Sequence, residues 1–251
     1  MARKKRYKRN KRGYFVALLV GFDEQAIYFW KIFSQRFKHY RTLNLPRKWK
    51  NCDEKQEYHY HEDIINILRP LIKEGVKSIL LAQPRKKDYT QRFLEHINKH
   101  HQWLIRAKKN NQVSFGQITG NATNFKQVRW LMEQEETEKV LKAIRTQEGD
   151  LLMAQLEKAL NKSVEKDKIF YGLPELEDMI YKGGKKDTSV VNMIDYMLMT
   201  DTYLKNHAQK GRVYRLKQIA ENKGIITKIF SEESPAGFKI QQFGGIICFK
   251  K

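Results

Sequence analysis

Residues 225–249 read IITKIFSEESPAGFKIQQFGGIICF, and this stretch decides the fold. Ile226, Ile229 and Phe230 make a short apolar run of strand length. Ser231-Glu232-Glu233-Ser234-Pro235 follows, with a hydroxyl to cap and an early proline, the usual entry to a helix. Ala236–Gln242 is expected to form about two turns, which Gly244-Gly245 stop. Ile246-Ile247-Cys248-Phe249 is too short and too apolar to lie anywhere but inside a sheet. Strand, short helix, paired glycines and closing strand predict a compact α/β ending.

Working upstream, Leu173–Tyr181 is expected as a helix closed by Gly183-Gly184, and Asp187–Val191 as a link to the strand Tyr196–Thr200. Asp201 is expected to cap a short turn, and Gly211–Asn222 to form a helix ended by Gly224. Phe125–Leu160 shows helical periodicity with an expected break near Thr146–Gly149. Before it, Tyr14–Gly21, Gln25–Phe33 and Phe37–Leu45 read as three antiparallel strands. A polar stretch, Asn51–Glu57, precedes a helix over Tyr58–Leu71. Then come a strand at Val76–Ala82, a helix capped by Asp88 over Asp88–His101, and a strand at Val113–Gln117. Three antiparallel strands followed by helix, strand, helix and strand is the order of a ribonuclease-H-like sheet.

The fold class expected is α/β in two domains: a ribonuclease-H-like mixed sheet over 14–124 and an α-β-α sandwich over 125–251. A basic arm, Met1–Gly13, precedes them. It holds Arg3, Lys4, Lys5, Arg6, Lys8, Arg9, Lys11 and Arg12 with no periodic apolar content. It reads as an RNA-binding segment or as a solubilising tail.

The 251 residues carry a formal net charge of +21. Residues 1–128 hold 28 Lys/Arg against 10 Asp/Glu, a net of +18, which leaves only +3 for the rest. Such asymmetry points to a polyanion on the first half. Two cysteines, Cys52 and Cys248, exclude a disulfide framework and suit a reducing cytoplasm. No signal peptide is read, and no apolar run approaches the ~18–20 residues of a membrane span.

Three segments carry a family resemblance. The pattern Ser231…Gly237…Ile240…Phe243-x-Gly245-Ile246, the segment Tyr171-Gly172-Leu173-Pro174-Glu175-Leu176, and Leu198-Met199-Thr200-Asp201 resemble the C-terminal domain of Pelota and the archaeal and eukaryotic class-I release factors. The resemblance implies that the second domain shares its fold with kink-turn-binding ribosomal proteins. It implies a partner, the ribosome, with rRNA contacted near the tRNA sites. It further implies that Leu45-Pro46-Arg47-Lys48-Trp49-Lys50 matches a basic RNA-contacting loop of the central domain. Arg47, Lys48 and Lys50 could neutralise phosphates there while Trp49 stacks on a base or sugar; alternatively Trp49 anchors the loop and the cations are merely solvated. At Gln83-Pro84-Arg85-Lys86-Lys87 the family carries Pro-Gly-Phe, tied to docking a translational GTPase. Here Arg85 and Lys86 replace the Gly-Phe pair, exchange an apolar contact for charge and, with Lys87, extend the basic surface.

The chemistry of peptide release is not supported, because neither Gly183-Gly184-Lys185 nor Gly244-Gly245-Ile246 is the Gly-Gly-Gln of that family. A ribonuclease-H-like sheet invites a second reading, a Mg²⁺-dependent RNA-processing nuclease, with Asp23, Glu24, Asp53, Glu54, Glu62 and Asp63 as candidate acids. Asp23 and Glu24 fall in a hairpin turn, and the others suit helix first turns. His59, His61, His96, His100 and His101, with Cys52, match no closed zinc spacing and read as helix-surface residues. No P-loop motif occurs. The expectation is a monomeric, non-enzymatic, cytoplasmic ribosome-binding factor without cofactor or metal, active in rescue of stalled ribosomes or in ribosome hibernation. The ribosomal stalk and a translational GTPase are its candidate protein partners.

Overall fold

A computed structural model describes residues 13–106, 112–161, 169–182 and 194–250. Strands β1 (Phe15–Phe22), β2 (Ala26–Phe33) and β3 (Arg36–Asn44) form an antiparallel meander. α1 (Glu54–Lys73), β4 (Ser78–Gln83), α2 (Tyr89–His100) and β5 (Ser114–Thr119) follow. β4 and β5 add in parallel, giving the order β3-β2-β1-β4-β5. Both faces of this sheet are covered, so its central strands are apolar on both sides. Leu18, Val20 and Phe22 of β1 pack with Ile64 and Leu68 of α1 and Phe93 of α2, whereas Leu19 points to the opposite core. That opposite face is closed by α3 (Phe125–Met132) and the first half of α4 (Glu135–Asn161), through Val128, Leu131 and Ile144.

The second sheet comprises β6 (Ile169–Tyr171), β7 (Tyr196–Thr200), β8 (Ile226–Phe230) and β9 (Ile246–Phe249), in the order β6-β9-β7-β8. β7 and β8 are parallel, while β9 runs antiparallel to β7 and β6. α5 (Leu173–Lys182), α6 (Asp201–Asn206) and α7 (Lys210–Asn222) cover one face through Leu176, Leu204 and Leu216. The second half of α4 and α8 (Pro235–Gln241) cover the other, where Leu152 and Leu156 meet Ile240 and Ile247. The ending expected from residues 225–249 is present: Ser234 caps α8 by accepting from Gly237 N, and Pro235 occupies its first turn. The architecture is α/β with two mixed sheets, as expected.

Four local expectations are corrected. α1 begins at Glu54, not Tyr58, because Asp53 and Gln56 form a reciprocal capping box that draws the polar segment into the first turn. The helical stretch breaks at Glu133-Gln134, not near Thr146–Gly149, and α4 runs unbroken through Gly149. The reason is tertiary: a Cβ at Gly149 would lie 2.9 Å from the Ala236 Cβ, so glycine serves close helix–helix approach there. Asp88 makes no side-chain cap and instead accepts from Arg92 Nε at 2.8 Å. Thr200, not Asp201, caps α6, while Asp201 accepts from the Glu232 N–H. The expected Gly183-Gly184 stop and the 187–191 link lie outside the described residues.

Because α4 packs on both sheets, it joins the parts expected to divide at 124–125. Its buried Glu148 accepts from Ser78 Oγ on β4 at 2.5 Å and pairs with Lys228 on β8. One turn earlier, Arg145 donates to the Ile229 carbonyl. Among the described residues, no helix is long and apolar enough to cross a membrane. Cys52 and Cys248 are both free thiols, and burial pushes that of Cys248 up.

Candidate nucleic-acid interface

β1, β3, β4 and β5 all point the same way, because β2 reverses the chain twice and β4 and β5 are parallel to β1. The loops after β1, β3 and β4 therefore gather at one edge of the first sheet. The hairpin turn Asp23-Glu24-Gln25 sits between the other two. Leu45 N donates to the Gln25 carbonyl at 2.8 Å and Trp49 N to the Glu24 carbonyl at 3.0 Å. On the other side, Lys87 Nζ meets Glu24 Oε1 at 3.1 Å. Arg47, Lys48, Arg85 and Lys86, distant in sequence, thus share one edge, and all four are exposed. Lys87 is half-buried, and its hydrogen bond to Glu24 raises its pKa. Arg3, Lys4, Lys5, Arg6, Lys8, Arg9, Lys11 and Arg12 lie outside the described residues, as does the side chain of Lys50.

The β3–α1 loop is held in shape from beneath. Arg47 N donates to Tyr60 Oη at 3.3 Å, and Cys52 Sγ reaches the Lys48 carbonyl at 3.4 Å. A loop fixed in this way presents Arg47 and Lys48 with its backbone already ordered, leaving only the side chains to be fixed on binding. Beside it lies a shallow depression of about 520 Å³ lined by Asp23, Tyr28, Asn44, Pro46 and Lys48 among others.

Trp49 is not a stacking platform. Its side chain is only 3% exposed and lies in the first core, with ring centroids 5.1 Å from Tyr89, 5.7 Å from His61, 5.8 Å from Tyr60 and 6.0 Å from Phe22. Burial among four rings makes it the anchor that pins the loop, which was the alternative reading.

An exposed aromatic of this sheet lies instead on β3. A bulge faces Phe29-Trp30 of β2, where Arg41 pairs with Phe29 and His39 with Trp30, so Tyr40 is the extra residue. The bulge breaks the in–out alternation and leaves Lys38, His39, Tyr40 and Arg41 all exposed. Lys31 Nζ sits 4.6 Å from the Tyr40 ring centroid. This cationic strip lies on the strand that ends at the Arg47 loop. Sequence reading missed it, although the run Arg36-Phe37-Lys38-His39-Tyr40-Arg41 is visibly cationic. Charge on an edge strand also blocks pairing with other strands.

Lys86 has φ 64°, the one positive value outside glycine among the described residues. Left-handed backbone at a branched-free but Cβ-bearing residue costs ~1–2 kcal/mol, more than the ~0.4–1 kcal/mol that a glycine adds in unfolded-state entropy. Lys86→Gly is therefore expected to stabilise the protein by roughly 0.5–1 kcal/mol in urea unfolding. A midpoint that falls instead would show that the lysine side chain holds this turn.

Glu24 is taken by Lys87, and Asp23, Glu24, Asp53, Glu54 and Asp63 enter no metal-holding group among the described residues. Three histidines are also corrected: His61, His96 and His101 are buried, whereas His59 and His100 remain exposed. Burial, with His96 and Arg92 nearby, pushes the pKa of His61 down to about 3. Burial likewise lowers that of His96. Burial would raise Glu62, but hydrogen bonds from His101 and His96 outweigh it and hold its carboxyl low.

No protein-family model and no curated protein matches the chain by sequence. Solved structures do match by fold. A model of ribosome-bound archaeal Pelota and ABCE1 aligns with a TM-score of 0.53 at 15% identity, covering 97% of this chain and 62% of that one. Dom34 of S. cerevisiae, a translation termination-like factor, aligns at 0.48 and 20% identity over 97% and 65%. The Archaeoglobus fulgidus Pelota aligns at 0.39 and 14% over 96% and 65%. The chain spans less than two thirds of the length of these Pelota structures. Two mixed sheets, alignment over nearly the whole chain and the three C-terminal sequence segments together make this a chain of Pelota-like fold.

Proposed function

We propose that the chain is a non-enzymatic ribosome-binding factor of the Pelota type, acting in rescue of stalled ribosomes or in ribosome hibernation. It would lie on rRNA near the tRNA sites. The observation that carries this reading is the gathering of Arg47, Lys48, Arg85 and Lys86 at one sheet edge, with a further cationic strip on β3 of the same sheet. Cations held in a fixed array neutralise successive phosphates and release counterions, which is how rRNA is gripped without base readout. The ribosome-bound state of the archaeal Pelota neighbour supports the same partner. Arg85 and Lys86, exposed and charged, weigh against apolar docking of a GTPase at this loop. The nearly neutral second half is the better surface for a protein partner such as the ribosomal stalk.

Sedimentation of a lysate through a sucrose gradient tests the reading. Co-migration with whole ribosomes, rising in starved cells, is the hibernation outcome, and co-migration with split subunits is the rescue outcome. Absence from every ribosomal fraction at low salt overturns the proposal. With purified ribosomes, substituting Arg47, Lys48, Arg85 and Lys86 together by alanine is expected to reduce the slope of log affinity against log salt by about 3, since each phosphate contact contributes ~0.7–0.9. An unchanged slope would remove this edge from the interface.

A further inference from the structure

The buried polar cluster between α1 and α2 has no part in the basic edge. Glu62 of α1 receives two imidazoles on one carboxylate oxygen: His96 Nε2 at 3.0 Å and His101 Nε2 at 2.6 Å. These three ligand-type atoms lie within 4.8 Å of one another. His96 and His101 are 7% and 6% exposed, while Glu62 is half-buried and leaves an opening to solvent. Beside them, His61 packs its ring 4.9 Å from that of His96. His61 is 3% exposed and its Nε2 has no hydrogen-bond partner, Glu57 Oε1 being 4.0 Å away. A buried imidazole nitrogen without a hydrogen bond is costly, so the cluster holds an unmet polar group beside these three residues.

We propose that Glu62, His96 and His101 form a zinc site that clips α1 to α2. Two imidazoles and one carboxylate are the donor set of Zn²⁺, whereas Mg²⁺ and Ca²⁺ take oxygen ligands. An ion bound at the usual zinc–ligand lengths of ~2.0–2.2 Å sets tetrahedral ligand–ligand separations of roughly 3.3 Å. The two histidine–Glu62 separations, 3.0 and 2.6 Å, lie just below that value and all three atoms fall within 4.8 Å, so binding needs only small side-chain shifts. The fourth position is open to water. His101 Nδ1 accepts from Trp103 Nε1 at 3.4 Å, so the neutral ring carries its proton on Nε2. Zinc on Nε2 moves that proton to Nδ1 and displaces the Trp103 N–H. The ion thereby fixes the two helices that back the β3–α1 loop.

The experiment is a titration of the full chain, first stripped with a chelator, with Zn²⁺ against a chromophoric competitor. One equivalent per chain is expected, with tryptophan fluorescence changing as Trp103 is displaced. His96→Gln and His101→Gln should each weaken binding on the order of tenfold or more, and His207→Gln, just past the end of α6 beside the second sheet, should not. At a hundredfold excess over Kd, zinc should raise Tm by about 5–10 °C. Should the variants fail to fold, Co²⁺ added to the unmodified chain decides: the intense visible bands of four-coordinate cobalt support the site. Weak six-coordinate bands overturn it. So does binding far below one equivalent, or an equivalent that survives the double histidine variant as an adventitious ion only.

Discussion

Trp49→Ala is expected to lower the unfolding free energy by about 3–5 kcal/mol, the usual cost of emptying an aromatic site in a core. The indole closes the space between Phe22, Tyr60, His61 and Tyr89, and those rings cannot collapse into the gap without moving α1 or α2. Trp49→Phe should recover much of the loss, because the indole N–H is buried without a hydrogen-bond partner and nothing polar is forfeited. Urea unfolding followed by circular dichroism measures both. An exposed stacking residue would change stability by less than ~0.5 kcal/mol on truncation. A small loss for Trp49→Ala would therefore restore the stacking reading and dismiss the anchor. For the proposed function, a large loss means that RNA contact at this loop would rest on its cations, Arg47 and Lys48 among the described side chains, and not on an indole stack.

The second large effect is expected at Glu148. This carboxylate is buried where α4 crosses from one sheet to the other, held by Ser78 of β4 and Lys228 of β8. Glu148→Ala leaves the ammonium of Lys228 in a site only 12% exposed without its counter-charge, and breaking a buried pair in this way costs roughly 3–5 kcal/mol. A double variant, Glu148→Leu with Lys228→Met, removes both charges and fills the space. It should lie well above the single variant and near the unmodified protein, since desolvation offsets most of the attraction in such pairs. Equal losses for single and double variants would show that shape, not charge, holds this junction. Limited proteolysis within 135–161 should report the same loss, because α4 bonds to both sheets through this one turn.

Period-2 and period-3.6 patterns place every described strand except the three-residue β6, too short to show a period, and most helices, because each buried face repeats locally. Tyr196–Thr200, Ile226–Phe230 and Ile246–Phe249 stand where the apolar runs put them. The cap and proline at Ser234-Pro235 did the same for α8. The charge asymmetry and the basic loops at 45–50 and 83–87 were likewise legible, since charge is a property of the chain whatever its fold. What the chain could not disclose alone depends on neighbours distant in sequence. Whether Trp49 points into solvent or into a core is decided by Phe22 and Tyr89, 27 and 40 residues away. Gly149 read as a helix break because glycine disfavours helix locally, whereas contact with Ala236 favours it there. The exposure of His39 and Tyr40 follows from a bulge set by pairing with β2. His96 and His101 read as surface residues on helix α2, and only the packing of α1 turned them into a buried cluster around Glu62. Local periodicity and charge are carried by each segment; burial and convergence arise only when two segments meet.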